Sequence, residues 1–228
     1  MKKYDAFLFD ADNTLYDYDK SEWCALEAAF TAFGLHFTEN IQEIFREVRA
    51  QLWGECEAGR AAKGAFEVQR FARLFAALGV VCDAAAFNAK FVSELGNGAH
   101  LIAGALELCR AISQKGKRAY IVTNSTLQAQ TARMAHSPIR DFISDYFVSE
   151  QVGFQKPDVR YFEYVFARIS PVEKNSILMV GDYLPSDIQG GINASIDTCW
   201  FNIWRQENKT GIIPTYEVKR LGEIMQFV

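Results

Sequence analysis

The stretch Tyr4-Asp5-Ala6-Phe7-Leu8-Phe9-Asp10-Ala11-Asp12-Asn13-Thr14 decides the interpretation of this chain of 228 residues. It begins as a nearly continuous apolar run, which is typical of a β-strand buried on both faces of a parallel sheet. Alternation along the strand assigns Phe7 and Phe9 to one sheet face. Asp10 and Asp12 follow where the strand ends. Because ligand sites in open α/β sheets lie at the carboxyl ends of strands, we expect both acids in a functional site.

Two carboxylates two residues apart on such a turn favour hydrolysis of a phosphate ester. One carboxylate can attack phosphorus while its neighbour handles the proton of the departing oxygen. The pattern D-x-D-x-T is short enough to arise by chance, so the interpretation depends on other motifs in the chain.

Composition indicates an ordinary globular protein of one large domain or two smaller ones, since 50% of its residues are hydrophobic. A net charge of -4, without a basic cluster longer than Lys2-Lys3, argues against a nucleic-acid polymer as partner. Five scattered cysteines without C-x-x-C spacing predict buried thiols in a reducing compartment. No apolar run reaches the roughly 20 residues of a membrane span, and Asp10 and Asp12 interrupt the first run. We expect a soluble, cytoplasmic protein that binds no membrane.

The hydrophobic period divides the chain into a helical segment and an α/β segment. Helices are predicted at 21–33, 39–57, 65–78 and, capped by Asp83, at 84–95. After residue 98 helices are predicted at 104–114, 127–135, 158–169 and 185–193, and they alternate with strands at 118–122, 146–149, 176–180 and 198–202. The sequence therefore predicts an α/β fold with a doubly wound parallel, Rossmann-like sheet. Residues 1–15 and 99–228 form the predicted sheet domain, and residues 16–98 form an inserted helical domain.

Two further segments at predicted strand and helix boundaries suit a phosphate group. Thr123-Asn124-Ser125 ends a strand, where a hydroxyl and backbone amides can bind an anion, although the same residues are also ordinary turn formers. Lys156 precedes Pro157 at the start of a helix. It can provide a positive charge, or it can be a solvated lysine before a helix-starting proline.

The segment from Gly181 to Asp187 suits a divalent cation. Gly181 permits a tight turn at the end of a strand, Asp182 follows it, and Asp187 comes five residues later. Carboxylates are hard oxygen ligands of the kind that such a cation prefers. Asp187 can instead supply only a negative charge at the N-terminus of a helix.

The order of these motifs resembles that of the haloacid dehalogenase-like hydrolases, and the resemblance covers the whole chain. Many members of that family carry a helical cap between the first strand and the rest of the sheet, which matches residues 16–98. The stretch from Leu178 to Asn202 is most similar to the branch of pyrimidine nucleoside 5′-monophosphate phosphatases. Phosphatases of sugar phosphates and phosphoglycolate share much of that stretch.

The resemblance implies a role for each acid. Asp10 matches the nucleophile that forms an aspartyl phosphate, and Asp12 matches the acid that protonates the leaving oxygen and then activates water. Asp10, the main-chain carbonyl of Asp12, and Asp182 match the ligands of Mg²⁺. A cation also agrees with elementary electrostatics, because an anionic nucleophile and an anionic phosphate repel each other.

The resemblance also implies groups that hold the phosphate. Thr123, the Asn124 amide and Lys156 match the groups that contact the transferring phosphoryl oxygens, and Asp187 matches a supporting residue. Asn13 departs from the pattern, because many relatives have glycine at this position.

Specificity is expected in the cap, because the cap of such relatives closes over the site and contacts the leaving group. Trp53 can stack on a base, or it can be a core residue. Arg60 and Lys63 lie in a glycine-flanked loop that can reach the site, or they can be ordinary solvated residues. Asn13 is a further candidate for substrate contact.

The predicted function is a magnesium-dependent phosphatase of small phosphorylated metabolites, most consistent with a nucleoside 5′-monophosphate phosphatase. Phosphatases of phosphoglycolate or sugar phosphates, and a phosphomutase, are the enzymatic alternatives. A halide-removing enzyme is disfavoured, since a departing halide needs no proton and neither Asp12 nor Asp182 would then have a function. A catalytically silent binding module on the same fold is the non-enzymatic alternative.

Overall fold

The structure is a computed structural model that describes residues 2–57 and 66–228, without the side chains of residues 53, 54, 56 and 57. The chain forms two compact units. The sheet unit comprises Met1–Asp19 and Ala99–Val228, and the helical unit comprises Lys20–Gly98. Residues 16–19 group with the sheet unit, whereas the predicted insertion begins at residue 16.

Six parallel strands form the sheet. They are β1 (Ala6–Phe9), β2 (Arg118–Thr123), β3 (Asp145–Val148), β4 (Ile177–Gly181), β5 (Asp197–Phe201) and β6 (Tyr216–Val218). Their order is β3-β2-β1-β4-β5-β6, which confirms the predicted doubly wound parallel α/β sheet. Strand β6 is missed by the sequence reading, because three residues are too few to show alternation.

Helices are present in both units. The helical unit contains α1 (Tyr18–Ala32), apart from its first two residues, and α2 (Glu39–Glu57), α3 (Phe66–Leu78) and α4 (Ala84–Asn97). Those between the strands are α5 (Ala105–Gln114), α6 (Leu127–His136), α7 (Ser149–Val152), α8 (Val159–Ile169) and α9 (Gln189–Asn193). None of the helices within residues 2–57 and 66–228 combines the length and the hydrophobicity of a membrane-spanning segment.

Strand β1 lies at the centre of the sheet because it is apolar on both faces, and all four of its residues are buried. Its last residue, Phe9, lies opposite Ile121 of β2 and Val180 of β4. The three strands therefore end at nearly the same level. The residues that follow them meet at one edge of the sheet.

Successive side chains of β1 enter different cores. Phe7 and Phe9 stack with their ring centroids 6.1 Å apart, in a core that includes α5 and the C-terminal 3₁₀ turn Leu221–Phe227. Leu8 packs on the opposite face, in a core that includes Phe162 of α8. The prediction that Phe7 and Phe9 share one sheet face is confirmed.

The predicted helix at 185–193 is only partly α-helical in the structure. Leu184–Ile188 is a π-helical turn, and only Gln189–Asn193 is α-helical. Hydrophobic periodicity does not distinguish the two, since a single wide turn hardly changes the spacing of apolar residues. Gly191 allows α9 to pack closely on β5, because a Cβ at this position would lie 2.4 Å from Thr198 Cγ2.

Side-chain oxygens accept hydrogen bonds from the first backbone N–H groups of α1 and α4. Helix α1 begins three residues before the predicted start at Ser21, and the Asn13 Oδ1 accepts a hydrogen bond from its first backbone N–H, that of Tyr18, at 3.1 Å. The Asp83 Oδ1 accepts from the backbone N–H groups of Ala85 and Ala86 at 2.9 and 3.1 Å, which confirms the predicted cap of α4.

The core of the helical unit is a cluster of phenylalanine rings. Phe71 of α3 is fully buried, and its ring centroid lies 5.1 Å from that of Phe45, 4.9 Å from that of Phe87 and 5.1 Å from that of Phe91. Edge-to-face and offset contacts of this kind add to the free energy of burial. This unit therefore has an apolar core of its own.

We predict that Phe71→Ala lowers the free energy of unfolding by about 3–5 kcal/mol, because it removes a buried ring from the centre of this cluster. Urea unfolding monitored by circular dichroism measures the change. Val81→Ala is the control, since Val81 is fully exposed and its truncation should leave the transition unchanged. Equal midpoints for Phe71→Ala and wild type would contradict the proposed core.

Candidate active site

The carboxyl edge of the sheet brings together side chains that the sequence singles out. Asp10 follows β1 directly, and its backbone N–H donates to the Val180 carbonyl of β4 at 2.8 Å. Thr123 is the last residue of β2, and Asp182 follows β4 directly. Strand register therefore places these three residues at one edge.

Lys156, which precedes α8, lies at the centre of a buried polar network. Its Nζ donates to Asp10 Oδ1 at 2.6 Å, to Asp187 Oδ1 at 2.7 Å and to the Val122 carbonyl at 2.7 Å. All three ammonium protons thus have acceptors. The side chain is almost completely buried, which excludes the solvated lysine that the sequence left open.

Asp187 belongs to the same network rather than only to a helix terminus. It is buried, and its Oδ2 accepts from the Tyr183 backbone N–H at 3.1 Å while its Oδ1 accepts from Lys156. Gly181 makes room for this carboxylate, since a Cβ at position 181 would lie 2.2 Å from Asp187 Oδ2. The glycine, which is the last residue of β4, therefore provides space for the carboxylate.

Burial dominates the electrostatics of the acidic groups. It raises the pKa of Asp10 to about 7; Lys156 opposes this shift, and the charges of Asp187 and Asp12 add to it. Burial raises the pKa of Asp182 to about 9, and the charges of Asp10 and Asp187 add to the increase. For Lys156, burial alone would lower the pKa, but Asp10 and Asp187 outweigh it and raise the pKa. One ammonium does not neutralise this group of carboxylates.

The donor set fits a hard divalent cation. Asp10, Asp182 and Asp187 each offer a carboxylate oxygen, and these oxygens lie within 4.8 Å of one another. Oxygen ligands of this kind suit Mg²⁺. Both oxygens of Asp187 already accept hydrogen bonds, so Asp10 and Asp182 are the better ligands. The Trp200 Nε1 fixes the backbone of Asp182 by donating to its carbonyl at 2.8 Å.

Asn124 has a role that the sequence did not indicate. Its Oδ1 accepts from the Lys156 backbone N–H at 2.9 Å, and its Nδ2 donates to the Lys156 carbonyl at 3.0 Å. The side chain therefore fixes the backbone of the lysine. Beside it, the buried Thr123 hydroxyl oxygen accepts from the Ser125 backbone N–H at 3.1 Å. Thr123 and Asn124 at the end of β2 therefore lie next to Lys156.

Asp12 has a partner that the sequence reading missed. Arg133 of α6 donates from Nη1 to Asp12 Oδ1 at 2.7 Å, and the arginine side chain is only 1% exposed. In the structure Arg133 shares a helix face with the buried Gln130 and Ala129, three and four residues earlier, but a glutamine and an alanine do not mark a buried face in the sequence. The acidic partner is 121 residues away, so no local pattern identifies it.

Among the candidates for substrate specificity, only the side chain of Asn13 lies within the described part of the structure. Asn13 adopts a positive φ of 59°, and its side-chain oxygen is occupied by the Tyr18 backbone N–H. Arg60 and Lys63 lie outside the described residues. Trp53 lies in α2, and its side chain is also outside the description.

Comparisons with known proteins agree with this geometry. A family model for haloacid dehalogenase-like hydrolases matches residues 4–195. The HAD-hydrolase YfnB of Bacillus subtilis strain 168 is 37% identical over 224 residues, which cover 98% of this chain and 95% of that protein. Pyrimidine 5′-nucleotidase PynA of Streptococcus pneumoniae is 34% identical, covering 97% of this chain and 94% of that protein. Pyrimidine 5′-nucleotidase YjjG of Escherichia coli is 31% identical, covering 99% and 98%.

Solved structures show the same relationship. A crystal structure of the Bacillus subtilis HAD-hydrolase YfnB bound to magnesium matches with a TM-score of 0.91 at 35% identity, covering 99% of this chain and 98% of that chain. An L-2-haloacid dehalogenase from Xanthobacter autotrophicus matches with a TM-score of 0.73 at 18% identity over 98% of this chain and 97% of that chain, which shows a common fold alone. The family model and the full-length relatives together show that the chain belongs to the haloacid dehalogenase-like hydrolases.

Proposed function

We propose that this hydrolase is a magnesium-dependent phosphatase that forms an aspartyl phosphate on Asp10 and acts on nucleoside 5′-monophosphates. The observation that carries the proposal is the buried contact of Asp10 with Lys156, next to Asp182 at the carboxyl edge of the sheet. A nucleophilic carboxylate held against a fixed positive charge is the arrangement that attack on a phosphate dianion requires.

In the first proposed step an oxygen of Asp10 attacks phosphorus, and the bond between phosphorus and the ester oxygen breaks. Asp12 donates a proton to that departing oxygen, which leaves as an alcohol. General acid catalysis matters most here for alkyl esters, since an alkoxide is a poor leaving group.

In the second proposed step water attacks the phosphorus of the aspartyl phosphate. Asp12, now ionised, accepts a proton from the water, the bond between phosphorus and the Asp10 oxygen breaks, and inorganic phosphate leaves. Both carboxylates return to their original states, so the cycle is balanced.

Charge neutralisation is assigned to the remaining site residues. We assign the phosphoryl oxygens to the Thr123 hydroxyl, the backbone N–H of Asn124 and the positive charge of Lys156. The Lys156 ammonium already donates to three acceptors, so it would contact the phosphoryl group by exchanging one of them. Asp187 keeps Lys156 in place through its 2.7 Å contact. Asp10, Asp182 and the main-chain carbonyl of Asp12 would hold Mg²⁺. When bound, the cation neutralises carboxylate and phosphate charge, which otherwise oppose each other at contact distance.

Similarity to the two pyrimidine 5′-nucleotidases supports the substrate class, since each covers nearly all of this chain. The residues at the sheet edge are suited to phosphate and provide little to recognise the rest of a substrate. We therefore assign specificity to the helical unit, Lys20–Gly98, with Trp53, Arg60 and Lys63 as the sequence-based candidates.

Replacement of the nucleophile should abolish turnover without unfolding the protein. In Asp10→Asn the amide still accepts a hydrogen bond but does not form an acyl phosphate, so kcat should fall at least about 10³-fold. Release of inorganic phosphate measures the loss, and Asp5→Asn, with a side chain 69% exposed, is the matched control. Wild-type turnover by Asp10→Asn would refute the assignment.

Removal of divalent cations should also abolish turnover. Without a cation, clustered carboxylates face a phosphate dianion, and we expect a loss of at least about 10²-fold that added Mg²⁺ reverses. The assay compares enzyme in excess chelator with enzyme in the same chelator saturated with Mg²⁺. Unchanged activity in the free chelator would contradict a cation-dependent site.

A substrate panel tests the finer proposal. Ribose and deoxyribose pyrimidine 5′-monophosphates should give higher kcat/KM values than purine nucleotides, sugar phosphates or phosphoglycolate. Release of inorganic phosphate separates hydrolysis from a mutase reaction. If a sugar phosphate or phosphoglycolate gave the highest kcat/KM, the nucleotide assignment would be wrong while the phosphatase assignment would stand.

A further inference from the structure

Asp12 has a demanding task in the proposed reaction, because one carboxylate must serve the departing oxygen and then a water molecule. Proton transfer of this kind requires an oxygen within hydrogen-bond distance of each reactant in turn. The Asp12 side chain is 30% exposed, so packing alone does not select one rotamer. Something else must orient it.

The loop around Asp12 is fixed through its backbone. The Asn13 N–H donates to the Tyr16 carbonyl at 2.7 Å, and the Tyr16 N–H donates to the Ala11 carbonyl at 2.9 Å. These bonds set the position of the Asp12 Cα, but they leave its side-chain torsions free. The orientation of the carboxylate therefore depends on side-chain contacts.

Arg133 provides that contact from a rigid position. Its Nη1 donates to Asp12 Oδ1 at 2.7 Å, and its guanidinium lies 4.8 Å from the centre of the Tyr16 ring. The Tyr16 hydroxyl in turn donates to Ser137 Oγ at 2.9 Å. Oδ2 of Asp12 accepts no hydrogen bond from any residue in the described part of the chain, which leaves it accessible to a reactant.

This arrangement is poorly explained as a device for stability. Among the described residues, Arg133 Nε and both amide atoms of Gln130, one turn earlier on α6, are buried without a hydrogen-bond partner. Unpaired buried polar atoms are unfavourable, and a buried ion pair often contributes no more stability than apolar residues of similar volume. A functional role explains why the guanidinium is buried here despite this unfavourable contribution to stability.

We propose that Arg133 is a positioning residue, which holds Asp12 Oδ1 so that Oδ2 exchanges the proton with the leaving oxygen and with water. This inference rests on the proposed phosphatase function. Arg133 then acts through Asp12, and its effect on the rate should depend on how much the leaving group needs a proton.

The test is Arg133→Met, which removes the guanidinium but keeps apolar volume beneath Tyr16. We measure kcat and KM for p-nitrophenyl phosphate, whose phenolate leaves readily, and for an alkyl ester, thymidine 5′-monophosphate. The variant should lose roughly 10- to 100-fold more kcat on the alkyl ester than on the aryl ester, with little change in either KM. In the Asp12→Asn background, adding Arg133→Met should leave the ratio of kcat on the alkyl ester to kcat on the aryl ester at the value of Asp12→Asn alone.

Arg140→Met is the matched control, because Arg140 is exposed just beyond α6 and should alter neither rate. Arg133→Lys keeps the charge and replaces Arg133→Met in the test if that variant does not fold. Its loss of kcat should be smaller than that of Arg133→Met, but it should still be greater on the alkyl ester than on the aryl ester. Equal losses of kcat on both esters in every folded variant would overturn the positioning role of Arg133 and leave the proposed phosphatase function standing. If wild-type enzyme hydrolyses neither ester, the proposed function fails and this inference fails with it.

Discussion

The buried ammonium of Lys156 is the constraint on which the rest of the site depends. An unpaired charge in this position would cost several kcal/mol, so its acceptors must be present whenever the protein is folded. Those acceptors lie 146, 34 and 31 residues away along the chain, on three different segments. The strand register, the side chain of Asn124 and the missing Cβ of Gly181 each serve to bring these segments to one point.

The same network leaves the site rich in negative charge. Burial raises the pKa of both Asp10 and Asp182, and the neighbouring carboxylates add to the effect. A protein interior does not hold such a group without compensation, so protons or a cation must balance it. In the proposed mechanism, affinity for a cation and acceptance of a phosphoryl group would therefore have one physical origin, which is the crowding of oxygens around a single lysine.

Much of this architecture was predictable from the sequence, and the remainder was missed for identifiable reasons. The apolar run before Asp10 and the alternation of helices and strands predicted the sheet, because both depend on local periodicity. The order of the motifs indicated Asp10, Thr123, Lys156 and Asp182. Arg133 was missed because its partner is distant in the sequence, and β6 and the π-helical turn at Leu184–Ile188 were missed because short or irregular elements have no distinctive period.

The central position of β1 has a consequence for biosynthesis. The two strands that flank it begin at Arg118 and Ile177, and the entire helical unit is made before either of them. A ribosome therefore produces this apolar central strand before the others and supplies its hydrogen-bonding neighbours only after more than a hundred further residues. During that interval the nascent chain carries an unpaired hydrophobic strand while the helical unit, with its own aromatic core, is already complete. Premature association of nascent chains through β1 is consequently the hazard that this topology creates.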